Sequence, residues 1–299
     1  MLSTNDRISA KSPLLCTQRQ TKPLSVTTKP MPTRNHKRAP RTKNKADIAR
    51  TIELMTEQYG PFTHEARLPP TDEMVFTILS QHTSDINSSR AFRRLMETFT
   101  TLDDVAAADV EDIEKAIAPG GLAKVKAPRI KEVLNRILEL NANLDLSFLR
   151  EMPLNDAKAW LRQLPGIGPK SAGIVLSFSL GMPAMAIDTH IYRVSQRLGV
   201  IGPKVSVDKA HDILESKVEP EQVFNFHVSY INHGRQVCKA QRPLCSKCVV
   251  GDVCPSRKKF MSKADLASLV RQEEHIPVGT SGAPLPHVPH PATVLKTNP

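Results

Sequence analysis

The 299-residue sequence predicts an all-α protein. Three observations carry that expectation: apolar residues recur with a helical period through its middle, sustained period-2 runs are missing, and the intervals between helical stripes are short. Apolar side chains at i, i+3, i+4 and i+7 form one face of a helix, and such faces must be buried against each other. About ten helices with short connections follow.

In chain order, residues 1–45 come first and hold 11 Lys and Arg against the single acid Asp6, which leaves 30 basic and 29 acidic residues in 46–299. The net charge of +11 is therefore concentrated at the amino end. Rich in Ser, Thr, Pro, Lys and Arg, this segment has too little apolar content to fold alone and reads as a disordered basic tail. Such a tail favours polyanions through counterion release. A solvated leader without a task and a mitochondrial transit segment are the other readings. No run of 18 apolar residues exists and no secretory apolar stretch precedes Thr17, so a soluble, intracellular chain without a membrane partner is expected.

The folded body should run from about Lys45 to about Lys263. One stripe is Val110, Ile113 and Ile117. The clearest is Ile130, Val133, Leu134, Ile137 and Leu138, with Lys131, Glu132, Asn135, Arg136 and Glu139 opposite. Asn155–Gly181 then reads as two helices around a tight turn. Asn155 would cap a helix that faces Trp160, Leu161 and Leu164 inward, Pro165 would stop it, and Gly166-Ile167-Gly168 would form the turn. Pro169 would open the second helix, which would run to Gly181. Further stripes are Ile191, Val194 and Leu198, then Ala210, Ile213, Leu214 and Val218. Residues 272–299 contain six prolines and no helical period, so 263–299 reads as a disordered, proline-rich tail.

Three constellations carry chemistry. Glycines at 166 and 168 permit positive φ and leave backbone N–H groups uncovered, while Ile167 can anchor the turn in the core. With the positive end of the following helix they form an anion site suited to a sequence-independent DNA backbone contact. An ordinary helical hairpin is the plainer alternative.

Lys170 stands in the first turn of that second helix, where a cation is disfavoured, so its pKa should fall below the ordinary value of about 10.4. A neutral amine can attack carbon and form a Schiff base. Asp188 precedes another helix. The 170–181 helix spans roughly 16 Å and the 182–187 return can cover that distance, so the two can meet. The carboxylate could then hold the lysine's charge, stabilise an oxocarbenium-like centre or relay a proton. A surface lysine that meets phosphate and a helix-capping aspartate are the alternatives.

The third constellation is Cys238-x6-Cys245-x2-Cys248-x5-Cys254, with only Cys16 elsewhere. Four cysteines within 17 residues suit metal better than a disulfide framework. An iron–sulfur cluster and structural zinc both fit, and either would be structural, since four thiolates leave no open coordination position.

Leu164-Pro-Gly-Ile-Gly-Pro-Lys170-Ser-Ala, Ile187-Asp188-Thr-His-Ile-Tyr-Arg193-Val, His233-Gly-Arg235 and the cysteine spacing together resemble the endonuclease III family of DNA glycosylases over about residues 46–260. The resemblance implies a two-lobed helix–hairpin–helix fold. A helical barrel lobe, 70–183, would be inserted into an iron–sulfur cluster lobe, 46–69 plus 184–262, with DNA across the cleft. It implies a bifunctional DNA N-glycosylase and abasic-site β-elimination lyase of base excision repair that acts on oxidised pyrimidines. Lys170 would attack C1′ of a flipped nucleotide, Asp188 would assist, and a [4Fe-4S] cluster would occupy the four cysteines. Double-stranded DNA with a damaged base or abasic site would be the partner of a monomer. Leu79–Asp85 resembles the stretch that fills the gap left by the flipped base, with Gln81 or His82 as the wedge; His82 stands where the family often has glutamine. Gly121-Leu122-Ala123 resembles the loop that inserts a second side chain, Leu122, although Ala123 stands where an aromatic residue often follows. Such an enzyme would work in the cytoplasm or nucleoid of a prokaryote, or the nucleus or mitochondrion of a eukaryote. Two rivals are a non-catalytic iron–sulfur DNA-binding or scaffold protein, which would need neither Lys170 nor Asp188, and an electron-transfer centre.

Overall fold

A computed structural model describes residues 42–262, so both tails, with Cys16, lie outside the described residues. Among the described residues there are twelve α-helices, four short 3-10 turns and no strand. The helices are α1 Lys45–Tyr59, α2 Pro70–Ser80, α3 Asp85–Thr98, α4 Leu102–Ala107, α5 Val110–Ile117, α6 Ala123–Asn141, α7 Leu154–Leu161, α8 Pro169–Phe178, α9 Thr189–Leu198, α10 Val207–Lys217, α11 Val223–Gln236 and α12 Arg257–Phe260. The all-α expectation holds. No described helix is long and apolar enough to cross a membrane.

Local chemistry explains the starts. Reciprocal capping boxes, Asn44 with Asp47 and Thr101 with Asp104, open α1 and α4, and the Ser84 and Ser206 side chains cap α3 and α10. The stripe on α6 is buried as expected at Ile130, Val133, Leu134 and Ile137, while Leu138 is half-buried. Pro128 sits inside that helix and costs about 3 kcal/mol there. Burial of four aliphatic side chains, at about 1.5–3 kcal/mol each, outweighs that cost, so the helix continues through the proline.

Two boundaries differ from expectation. Pro153 occupies the N-cap of α7 without a side-chain hydrogen bond, and Asn155 is already inside the helix. The proline fixes φ at the boundary, so no polar cap is needed there. Helix α8 ends at Phe178 rather than Gly181, whose φ of 67° serves the turn beyond it.

Buried apolar residues form two clusters. One draws on 74–184 and includes Met74, Leu79, Leu95, Ile130 and Ile167; the other draws on 48–59 and 185–250 and includes Ile48, Ile191, Phe226 and Tyr230. Between α1 and α2, Arg67 pairs with the fully buried Glu73 and lies over the rings of Phe76 and Phe178. Burial lowers the Arg67 guanidinium to about 10. Arg235 of α11 reaches Asp85 of α3 at 3.2 Å, so charge also bridges the two clusters.

Candidate active site

Helices α7 and α8 form the expected hairpin. Leu161, Leu164 and Ile167 are buried and seat it on the core. Gly166 has φ +72°, and a Cβ there would come 3.1 Å from Nε of Arg129, which packs along the turn. Gly168 departs from expectation: its φ is −92°, and it serves as the N-cap of α8 without a side-chain cap. A Cβ at Gly168 would meet nothing within 4 Å. Only the first glycine is therefore required by its conformation; the second leaves open space in front of the first N–H groups of α8.

Lys170 is exposed in the first turn of α8, and Asp188 is half-buried at the N-cap of α9, where its Oδ1 accepts from the Ile191 N–H at 2.7 Å. The capping role foreseen for Asp188 is thus present, and the geometry around it does more. The strap 182–187 returns directly over α8. A Cβ at Gly173 would stand 2.6 Å from the Met185 carbonyl oxygen and 3.2 Å from Ala186 Cα. Glycine at 173 lets the strap touch the helix one turn after Lys170.

Two helices hold the strap. His211 Nδ1 donates to the Val207 carbonyl at 3.0 Å, and its Nε2 accepts from the Ile187 N–H at 3.2 Å, which fixes this tautomer. The Met185 N–H donates to Glu215 Oε2 at 3.0 Å, and Glu215 pairs with Lys158 of α7. From α11, His227 is only 3% exposed and bonds the Ala186 backbone. Burial pushes its imidazole down to about 4, offset by Asp188 and Ala186 and reinforced by Lys170 and Arg67.

Two expected outcomes follow from this packing. Gly173→Ala at an ordinary helical site would stabilise by about 0.4–1 kcal/mol. Here the new methyl meets a backbone carbonyl, and overpacking costs about 1–3 kcal/mol, so urea denaturation should show net destabilisation. An unchanged or raised midpoint would contradict the close approach.

His227 sets a pH dependence. Its folded pKa of about 4 lies below the ordinary value of about 6.5, so its contribution is complete above 6.5. As pH falls from 6.5 towards 4 the unfolded chain takes up a proton that the folded chain refuses, and stability drops by on the order of 3 kcal/mol. Melting curves from pH 7 to 4 should fall more steeply for the wild type than for His227→Gln; parallel curves would refute this.

Gln81, His82 and Leu122 cluster beside the hairpin. Gln81 closes α2, is half-buried, and accepts from Arg129 Nη1 at 3.3 Å. His82 is exposed with φ 52°, and Leu122 is 54% exposed with φ 56°. Both are non-glycine residues in the left-handed region, which holds them at a conformational cost of about 1 kcal/mol or more.

All four expected cysteines line one pocket together with Leu198, Val237, Pro243 and Val250. Burial raises the thiol pKa values of Cys245, Cys248 and Cys254, that of Cys248 to about 12, and the neighbouring cysteines add to each shift. Two arginines of α9 staple this loop. Arg197 Nη1 reaches Cys238 Sγ at 3.4 Å and the Lys239 carbonyl at 2.6 Å, and Arg193 Nε donates to the Cys238 carbonyl at 2.9 Å. Behind Cys248 stands His233, 3.5 Å from its Sγ and 2.9 Å from the Tyr59 hydroxyl. Among the described residues no three metal-ligating side chains converge on a single-ion site.

Sequence reasoning did not find His211, His227 or the two stapling arginines as working parts. A lone buried histidine carries no local signal; its function here depends on the strap brought to it from elsewhere.

Comparison with known proteins places these features in context. Residues 75–220 match the family described as HhH-GPD superfamily base excision DNA repair protein. Over 182 residues the chain is 37% identical to endonuclease III of Sulfolobus acidocaldarius, covering 60% of this chain and 78% of that protein. With endonuclease III of Escherichia coli K12 it shares 30% over 215 residues, 71% and 97% of the two chains. An Arabidopsis thaliana relative, 34% identical over 187 residues, extends further, and this chain spans 61% of its length. The fold superposes on a non-covalent endonuclease III–DNA complex with TM-score 0.62 and 30% identity, covering 73% of this chain and 98% of that one.

Proposed function

This chain belongs to the endonuclease III family of base-excision DNA repair proteins, and on that footing we propose that it removes oxidised pyrimidines from double-stranded DNA and cleaves the resulting abasic site. The observation that carries the reading is that the strap ending in Asp188 packs on α8 at Gly173, one turn after Lys170, behind an open helix N-terminus.

The hairpin comes first. Gly166 and Gly168 present backbone N–H groups and the positive end of α8 to a DNA phosphate, with no side chain at Gly168 in the way, while the Ile167 N–H donates to the Leu164 carbonyl and braces the turn. The damaged nucleotide must leave the stack, since its glycosidic carbon is inaccessible in the duplex. Leu122 and His82, both exposed, enter the vacated space, while Gln81 stays tied to Arg129.

Chemistry then proceeds at C1′. Lys170 Nζ forms a bond to C1′ as the glycosidic bond breaks; the base departs with the bonding electrons and takes up a proton that the attacking amine sheds. The Asp188 carboxylate stabilises the positive charge that develops on the sugar. Ring opening gives a Schiff base between Nζ and C1′. Loss of a proton from C2′ then expels the 3′ phosphate by β-elimination, and water hydrolyses the imine to return free Lys170. A neutral His227 adds no second positive charge beside Asp188.

Cys238, Cys245, Cys248 and Cys254 would hold a [4Fe-4S] cluster, which a four-thiol pocket with an adjacent Arg197 guanidinium fits. When bound it ties the 238–254 loop together. Arg193 and Arg197 carry that order to α9, the helix that Asp188 caps.

A panel of duplexes, each with one lesion, tests the function. Oxidised-pyrimidine and abasic duplexes should be cut to a β-elimination product, and undamaged duplex should stay intact. Binding to every duplex without cleavage would leave the scaffold reading in its place.

A further inference from the structure

Lys126 of α6 is 4% exposed, yet its ammonium group donates to a carbonyl and a hydroxyl rather than to a carboxylate. Its Nζ donates to the Leu79 carbonyl at 2.6 Å and to Thr83 Oγ1 at 2.5 Å. Leu79 O is one of the carbonyls that α2 leaves unpaired at its end, where a cation is favoured. Thr83 Oγ1 accepts that bond and in turn lies 3.0 Å from the Gly120 carbonyl, its acceptor. The backbone N–H of Lys126 donates to the Leu122 carbonyl at 3.0 Å. Burial lowers the lysine's pKa, which records what its enclosure costs. Such a buried charge is tolerated only where hydrogen bonds satisfy it, as the Leu79 carbonyl and Thr83 hydroxyl do here.

What it joins explains the enclosure. On one side is the turn after α2, with His82 at φ 52°; on the other is the turn before α6, with Gly121 at φ 69° and Leu122 at φ 56°. Gly120 is seated against α3, where a Cβ would come 2.7 Å from Ala91 Cβ. Each turn is held at its own ends by backbone hydrogen bonds to the neighbouring helices, while Lys126 and Thr83 join one turn to the other, and both turns display an exposed side chain.

We propose that Lys126 is a positioning residue that locks the His82 and Leu122 turns into one rigid two-pronged unit, so that both side chains enter the duplex together when a nucleotide leaves it. The inference rests on the proposed activity and goes beyond it. Lys126 touches neither Lys170 nor DNA in this role; it acts through Thr83 and the α2 terminus.

The test separates gap filling from chemistry. Lys126→Met and, because a core substitution can impair folding, the milder Thr83→Val are each assayed in single turnover on a base-paired lesion duplex and on a single-stranded abasic oligonucleotide, which has no stack to fill. A displacement of about 1 Å can lower a rate by about 100-fold. The duplex rate should fall about 10- to 100-fold for both variants, the single-strand rate should stay within about threefold of wild type, and Thr83→Ser should restore duplex activity. Equal losses on both substrates, or no loss on either, would overturn the inference alone. A wild type that cleaves neither substrate would sink the activity and this inference with it.

Discussion

Lys170→Ala is expected to lose strand cleavage at abasic sites by three orders of magnitude or more while it still binds the abasic duplex. The size follows from what is removed. An amine that forms a covalent intermediate replaces one difficult step by two easier ones, and nothing else in the first turn of α8 can take its place, since Ser171 is buried. Binding should persist because the hairpin contact depends on the Gly166–Gly168 backbone rather than on the lysine. Asp188→Asn keeps the Ile191 cap, because the amide oxygen can still accept that N–H, and removes only the charge. Its loss should be smaller, about 100- to 1,000-fold, in line with removal of one electrostatic stabiliser. Gel mobility and single-turnover cleavage, measured on the same preparations, check both. Equal loss of binding and cleavage in Lys170→Ala would make the lysine a phosphate contact and nothing more.

Cys248→Ser should act on folding before chemistry. Cys248 stands against His233, and through it Tyr59 of α1, so its sulfur sits where the loop meets the rest of that lobe. Without its ligand the 238–254 loop keeps its arginine staples, its local backbone hydrogen bonds and the buried Val250, but nothing that ties all four cysteines to one point. We expect a loss on the order of 4 kcal/mol or more, in the range reserved for removed metals and broken buried networks. At roughly 2–4 °C per kcal/mol for a body of this size, Tm should fall by about 10 °C or more. Iron content and visible absorbance should fall in parallel. Whatever fraction stays folded should retain Lys170 chemistry, because the cluster takes no part in the reaction. A variant with normal Tm and iron would remove Cys248 from the ligand set; a wild type that holds zinc would overturn the cofactor.

Most of the fold was legible because helical signals are local. The α6 stripe, the cysteine spacing and the proline that opens α8 all lie within a few residues of one another in sequence. The Gly-Ile-Gly turn was legible as a turn, but not which glycine would need positive φ; Gly166 does and Gly168 does not, because that depends on how Arg129 and the start of α8 pack around them. Helix ends were misread where a boundary formed without the expected polar cap, as at Pro153. The least legible parts were made by distant segments. His211 and His227 grip a strap from another stretch of chain, Gly173 matters only because that strap lies on it, and Lys126 is an ordinary helical lysine until Leu79 and Thr83 are folded over it. Leu122 gave no hint of left-handed backbone, since leucine is not a residue type that favours it, and histidine at 82 is only a weak hint.

The central claim, that Lys170 is the nucleophile, is tested most directly by reducing the wild-type protein with borohydride during reaction with abasic duplex and locating the adduct by mass spectrometry of the digested chain. The account expects one major covalent adduct, carried by the peptide that contains Lys170. An adduct on another lysine or on the terminal amine, or no adduct in a preparation that binds the duplex, would contradict it.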